Sequence, residues 1–179
     1  MVDTPWDNNM SATLLDWLRD SLNIAIKMIA PTHWHDDCMG GIKEFHERGI
    51  VSISNVLTRK FAVKNNLDLP IRTFEDSLWM DFNNQKILLY YPGAAHSIDN
   101  IVCWIEEDSV LFGGCMIKSA EAQNIGNIKD ADIKEWPSSI RKLKSRFPNA
   151  KTVIPGHGNI GGTNLYEHSL GIVLNEGTD

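Results

Sequence analysis

The sequence is poor in cysteine: Cys38, Cys103 and Cys115 are the only three among 179 residues. An odd, sparse set does not read as a disulfide framework, and it leaves at least one thiol free. A free thiol can be core, nucleophile or metal ligand. Positive charge is also scarce. Lys plus Arg number 17 against 23 Asp plus Glu, for a net charge of -6. That balance disfavours nucleic acid as a partner, because phosphate binding wants a basic face. No apolar run approaches the ~20 residues that a membrane-spanning helix needs, so no membrane partner is expected. No basic start followed by an apolar stretch marks a signal peptide. On this reading the chain is cytoplasmic, or an export signal has been removed from it. Repeats, low-complexity tracts and Pro/Gly/Ser linkers are absent, so residues 1–179 read as one domain. What is present, 42% apolar and 22% charged residues, suits a globular chain that buries a core without staples.

Apolar periodicity gives a coarse order of elements. Leu14, Leu15, Leu18 and Leu22 recur at helical spacing, which predicts a helix over about residues 10–22. Ile24 to Ile29 reads as a buried strand ended by Pro31. Met39 to Arg48 reads as a helix beginning at Gly40-Gly41 and closed by Gly49. Val51 to Ile53 reads as a strand, and residues 55–66 as a helix. Ser77 to Asp81 and Lys86 to Tyr91 flank Phe82-Asn83-Asn84-Gln85 and predict a hairpin. Further strands are read at Ile101 to Ile105, Val110 to Phe112 and Thr152 to Ile154. Helices are read at Ile133 to Phe147, with Arg141, Lys142, Lys144 and Arg146 as a solvated face, and at Leu165 to Leu174. The class is mixed α/β.

The chemistry gathers at strand ends. Past the first strand stands His33-Trp34-His35-Asp36-Asp37, a His-x-His-x-Asp pattern. In an extended loop, residues i, i+2 and i+4 can point one way, and imidazoles with a carboxylate are standard zinc ligands. A polar turn with two solvent-facing histidines would have the same letters. Three later strands each end in Gly or Pro and then a donor: His96, Cys115 and His157. Alone, each is more simply a loop histidine or a core thiol. Together the four strand ends offer six donors, too many for one closed tetrahedral site. They are the right number for two open sites of three protein ligands each. His46, in a charged helix segment, and His168, in the last helix, read as surface or satisfied side chains. Cys103 reads as a small core residue, and Trp34 as packing between two donors.

These stretches resemble the zinc β-lactamases of subclass B1, in the metallo-β-lactamase fold. The matching segments are Asp3-Thr4-Pro5-Trp6, Thr32 to Gly41, Pro92-Gly93 through Asn100, Val110 to Lys118, Gly126-Asn127-Ile128 with Asp130-Ala131, and Pro155 to Gly158. They run essentially end to end and in order. The resemblance implies an α/β fold of the αβ/βα sandwich type. It implies two zinc ions, the first held by His33, His35 and His96 and the second by Asp37, Cys115 and His157. Lys118 resembles the lysine that pairs with a substrate carboxylate, and Asn127 the asparagine near the lactam carbonyl. Cys38 stands where relatives acting on other substrates usually carry histidine, and is read as a neighbour of the ligands rather than a ligand.

The implied reaction is hydrolysis of the β-lactam amide of penicillins, cephalosporins and carbapenems by a zinc-bound hydroxide. Such a reaction confers antibiotic resistance, and family members work in the periplasm. Asp37 would orient the nucleophile, and the first zinc and Asn127 would stabilise the oxyanion. Family members normally carry several strands before the Asp-Thr-Pro segment, so the expectation is a chain truncated at its N-terminus. An exposed sheet edge would follow, and with it a homo-oligomer or low stability. Three other readings stand beside this one: a metal-binding chain with weak activity, a different hydrolase of the same fold, and a cysteine nucleophile at Cys115.

Overall fold

The computed structural model describes residues 1–176. The chain divides into two compact units, one spanning Met1–Glu75 and the other running from Asp76 onward.

The first unit is built from short crossovers. Helix α1, Asn8–Leu22, opens where Asp7 accepts a hydrogen bond from the Met10 amide. It closes at Asn23, which turns left-handed at φ 54. Of the predicted leucine stripe only Leu15 is fully buried, and Leu22 is exposed. The strand expected over Ile24 to Ile29 shrinks to β1, Met28–Ile29. Asn23 reverses the chain, the Ile24 amide bonds back to the Leu18 carbonyl, and Ile24 stays exposed. Residues that finish a helix cap are not free to enter a ladder.

A separate short helix that was not anticipated, α2 at Asp36–Met39, precedes the helix expected to begin at Gly40-Gly41, which is α3 at Ile42–Glu47. The break is at Gly40-Gly41. A Cβ on Gly40 would lie 2.1 Å from the Trp6 carbonyl oxygen, and one on Gly41 1.8 Å from Ser11 Oγ. These glycines are there because neighbouring chain passes too close for a side chain. Strand β2 is Val51–Asn55, α4 is Val56–Lys64, and β3 is Arg72–Phe74. All three strands pair parallel, in the order β1-β2-β3, with Met28 opposite Val51 and Ile53 opposite Arg72. Parallel pairing requires crossovers, and α2–α3 and α4 supply them. Leu15, Ile29, Phe45 and Ile50 form one small core, and Met39, Ile42 and Ala62 another. Strand β3 was not anticipated, because three residues with two exposed carry no readable alternation.

The second unit opens with the expected hairpin, β4 at Ser77–Phe82 and β5 at Gln85–Tyr90. Asn83 and Asn84 both take positive φ, 51 and 64, which is the backbone of a two-residue type I′ turn. Strands β6, Val102–Ile105, and β7, Val110–Gly114, continue the antiparallel run. Helix α5, Trp136–Arg146, then leads to β8, Thr152–Pro155, which pairs parallel to β7. Helix α6 is Asn164–Glu176. Helix α5 starts later than the apolar period suggested, because Pro137 occupies its first turn, where a missing N–H costs nothing.

One register row crosses the five-stranded sheet: Trp79, Leu88, Trp104, Leu111 and Val153. Leu88, Leu111 and Val153 are fully buried with Trp136, Ile140 and Leu143 of α5 and Leu165, Tyr166 and Val173 of α6. Each aliphatic side chain among these contributes about 1.5–3 kcal/mol by leaving water. This is the platform on which the loops after β5, β7 and β8 stand.

Candidate metal centre

In the first unit, the donors follow β1 at once. The Asp3 carboxylate accepts hydrogen bonds from the Thr32 amide at 2.6 Å and the Thr32 hydroxyl at 3.0 Å. That clamp fixes the loop just before His33, which is fully buried. His33 Nε2 lies 2.9 Å from His35 Nδ1 and 3.7 Å from Asp37 Oδ1. The spacing does not act wholly as an extended loop. His35 is extended and caps α2, while Asp37 sits in the first turn of that helix, so His33 and Asp37 meet as an i, i+4 pair.

Cys38 is buried one residue further along α2, and its Sγ accepts from the Thr32 hydroxyl at 3.4 Å. The ligand atoms of His33, Asp37 and Cys38 lie within 4.8 Å of one another. That closeness fits a ligand and a neighbour of the ligands alike. Trp34 packs as expected, stacked on Phe61 with ring centroids 5.8 Å apart and in edge contact with His35.

In the second unit, His96 follows β5 and is buried, its ring edge-on to Trp136 with centroids 5.9 Å apart. Cys115 follows β7 and is buried; His157 follows β8 and is exposed. Cys115 Sγ and His157 Nε2 stand 3.6 Å apart. Gly156 makes that approach possible, since a Cβ there would sit 2.6 Å from Cys115 Sγ.

These distances suit a tetrahedral ion. Two nitrogens each ~2.1 Å from zinc stand roughly 3.4 Å apart, and a thiolate at ~2.3 Å stands roughly 3.6 Å from such a nitrogen. The Cys115–His157 pair matches the second figure, and the His33–His35 nitrogens stand about 0.5 Å inside the first.

Lys118 follows Cys115 closely, and its ammonium lies 5.2 Å from the centroid of the Trp136 ring. Its Nζ is 3.9 Å from the point where a Gly126 Cβ would stand. Asn127 is exposed, in a turn where Gly126 takes φ 80, and its Oδ1 accepts from the Lys129 amide at 3.1 Å. That is a self-stabilised Asx turn. Tyr91 donates to the Ile98 carbonyl at 2.8 Å. Burial, then the charges of Asp99 and Asp132, push the Tyr91 phenol up from its ordinary value, so it stays a donor.

The two remaining histidines are satisfied, as read. His46 Nε2 meets Ser52 Oγ at 2.7 Å, and His168 Nε2 meets the Ala122 carbonyl at 3.1 Å. Cys103 is buried in β6. Sequence reasoning missed the parts played by Asp3 and Trp136. Asp3 is 29 residues from Thr32, and Trp136 looked like one more apolar position in a helical period.

The family model described as the metallo-beta-lactamase superfamily matches residues 1–157. The chain is similar to the "Metallo-beta-lactamase type 2" of Bacteroides fragilis, 41% identical over 173 residues, covering 97% of this chain and 70% of that protein. It is 37% identical to the protein of the same name from a Bacillus strain, covering 97% of this chain and 67% of that protein. Among solved structures it is similar to the metallo-beta-lactamase from Pontibacter korlensis. That match has a TM-score of 0.94 and 37% identity, and covers 97% of this chain and 81% of the other.

Proposed function

The chain belongs to the metallo-β-lactamase superfamily and has the fold and sequence of its subclass B1 hydrolases, and on that premise we propose that it opens the β-lactam ring of penicillins, cephalosporins and carbapenems. The observation that carries the reading is the donor set. Two histidines and an aspartate converge beside β1, and a thiol and a histidine converge where β7 and β8 end. In this proposal His33, His35 and His96 hold one zinc ion, and Asp37, Cys115 and His157 hold a second.

Zinc, when bound, supplies a Lewis acid and lowers the pKa of water towards ~7, so that a nucleophile exists at neutral pH. The residues do the rest. The Asp37 carboxylate accepts a hydrogen bond from the attacking water and aims it. Asn127 spends its Oδ1 on the turn, which leaves the amide N–H2 to donate to the lactam oxygen as charge develops there. The Lys118 ammonium pairs with the carboxylate beside the ring. It is held over Trp136 rather than free to swing, so less entropy is lost on binding.

Work in the periplasm, resistance to carbapenems and self-association along a sheet edge belong to the same proposal. Strand β4 ends the order of its sheet and exposes Trp79 and Phe82, which supports the last.

The test is carbapenem ring opening, followed by absorbance, with zinc added and then with chelator. Turnover that chelator abolishes and zinc restores is the expected result. A folded protein that holds two zinc ions and opens no β-lactam overturns the substrate assignment, and the thioester, phosphodiester and lactone substrates of the same fold are then tried.

A further inference from the structure

The loop that carries His96 is not held by its own strand. Its carbonyls are bonded, one after another, to residues in or just before α5. Lys142 Nζ donates to the Pro92 carbonyl at 2.9 Å. Ser139 Oγ, on a buried residue, donates to the Ala94 carbonyl at 2.8 Å. The Asp132 amide donates to the Ala95 carbonyl at 2.8 Å. Between the first two anchors lies Gly93, at φ 127, where an added Cβ would come within 2.7 Å of Ser139 Oγ. The loop is therefore pressed onto the helix at the one residue type that permits it.

The same helix also reaches the loop after β7. Trp136, fully buried at the start of α5, has its ring edge-on to His96. Its Nε1 donates to the carbonyl of Met116, the residue after Cys115, at 2.9 Å. Its ring face lies under the Lys118 ammonium. One rigid side chain thus touches a candidate donor, the backbone next to another donor, and the candidate substrate cation.

We propose that α5 is the positioning element of this site. Ser139 and Lys142 set His96 through the loop carbonyls, and Trp136 ties the placement of His96 to that of Cys115 and Lys118. The inference rests on the metal reading of His96 and Cys115 given above. The physical basis is that a ligand held within a fraction of an ångström binds without first being ordered, whereas a loose one must lose freedom on binding. Three backbone anchors and a rigid ring remove that freedom in advance. None of the three side chains is a ligand, so their loss acts through geometry.

The experiment measures zinc affinity by chelator competition. It also records the absorption of the cobalt(II)-substituted protein, in which a thiolate ligand gives its own charge-transfer band. Melting of the metal-free protein controls for folding. Lys142→Met and Ser139→Ala are each expected to weaken one of the two zinc ions about tenfold or more, in the range that residues supporting a ligand usually command. Both should keep the thiolate band at saturating cobalt, and Lys142→Arg should recover affinity. Trp136→Phe, which keeps an aromatic ring, though a smaller one, and removes the donation to Met116, is expected to weaken both ions and shift the thiolate band. Lys142 lies on the exposed face of α5, so its variant keeps the test open if a core variant fails to fold.

Zinc affinity within twofold of wild type in Lys142→Met and Ser139→Ala overturns the inference. So does a loss at both ions that merely tracks a fall in melting temperature. A wild-type protein that takes up no zinc refutes the metal reading itself, and that failure shows before any variant is made.

Discussion

Cys115 is the residue where the readings of this site part most sharply. Buried beside His157 at 3.6 Å, its sulfur fits a ligand, and a histidine that close would equally serve a nucleophile. Cys115→Ser separates the two. A ligand role predicts loss of one zinc by metal analysis, with partial activity that excess zinc helps to restore. A nucleophile role predicts complete loss of activity with zinc content unchanged. Asn127 shows the opposite case. Its letters suited a turn residue and an oxyanion donor alike, and in the structure its Oδ1 accepts from the Lys129 amide, as a turn residue's does. Lys118 read as an ordinary surface lysine without the family resemblance; the Trp136 ring beneath it is what sets it apart.

Elements were legible where a local signal was strong. The β4–β5 hairpin follows from two asparagines that accept positive φ between two β-rich runs. Helix α1 follows from the helical spacing of its leucines, and the Asp7 cap seen in the structure starts it two residues ahead of the expected position. Elements failed where the deciding contact lay far along the chain. The strand before His33 shortened to two residues, and the short helix α2 ahead of the two glycines, which are pressed against Trp6 and Ser11, was not anticipated.

The join of α3 to β2 carries its own prediction. His46 of α3 bonds to Ser52 of β2, whose hydroxyl oxygen also accepts the Ile71 amide. Burial pushes the His46 imidazole below its ordinary value, against a smaller opposing pull from Asp68. The folded state therefore disfavours the proton. Stability should be whole above the unfolded value of about 6.5 and fall as pH drops from there through the lowered folded value. Urea midpoints of wild type and His46→Gln at about pH 7.5 and about pH 5.5, on either side of that value, measure this. The wild type should lose more on acidification than the variant, and equal losses sink the idea.

At the scale of the whole molecule, the residues form two compact units, each with its own sheet. The chain spans about 70% of the Bacteroides fragilis protein it resembles. Within the second unit, β4 is a six-residue edge strand bearing Leu78, Trp79, Met80 and Phe82, with Trp79 and Phe82 exposed. A long apolar edge invites pairing with another chain. Solution scattering across a concentration series should show mass rising above 20.1 kDa, and Trp79→Lys should hold the protein at the monomer mass. A constant monomer mass in the wild type removes the case for self-association.

The donors could be read in the linear chain because metal chemistry restricts them to a few residue types, and because strands ending in glycine or proline place such residues at one end of a sheet. The six candidate ligands, Lys118 and Asn127 were all named from those constraints and from the family they resemble. The supports could not be read this way. Asp3 clamps Thr32 across 29 positions, Trp136 reaches Met116 across 20, and Lys142 reaches Pro92 across 50. Each is an ordinary acid, aromatic or lysine by local pattern. Only the folded chain, by closing those long loops against a packed helix, makes them the residues that hold the donors still.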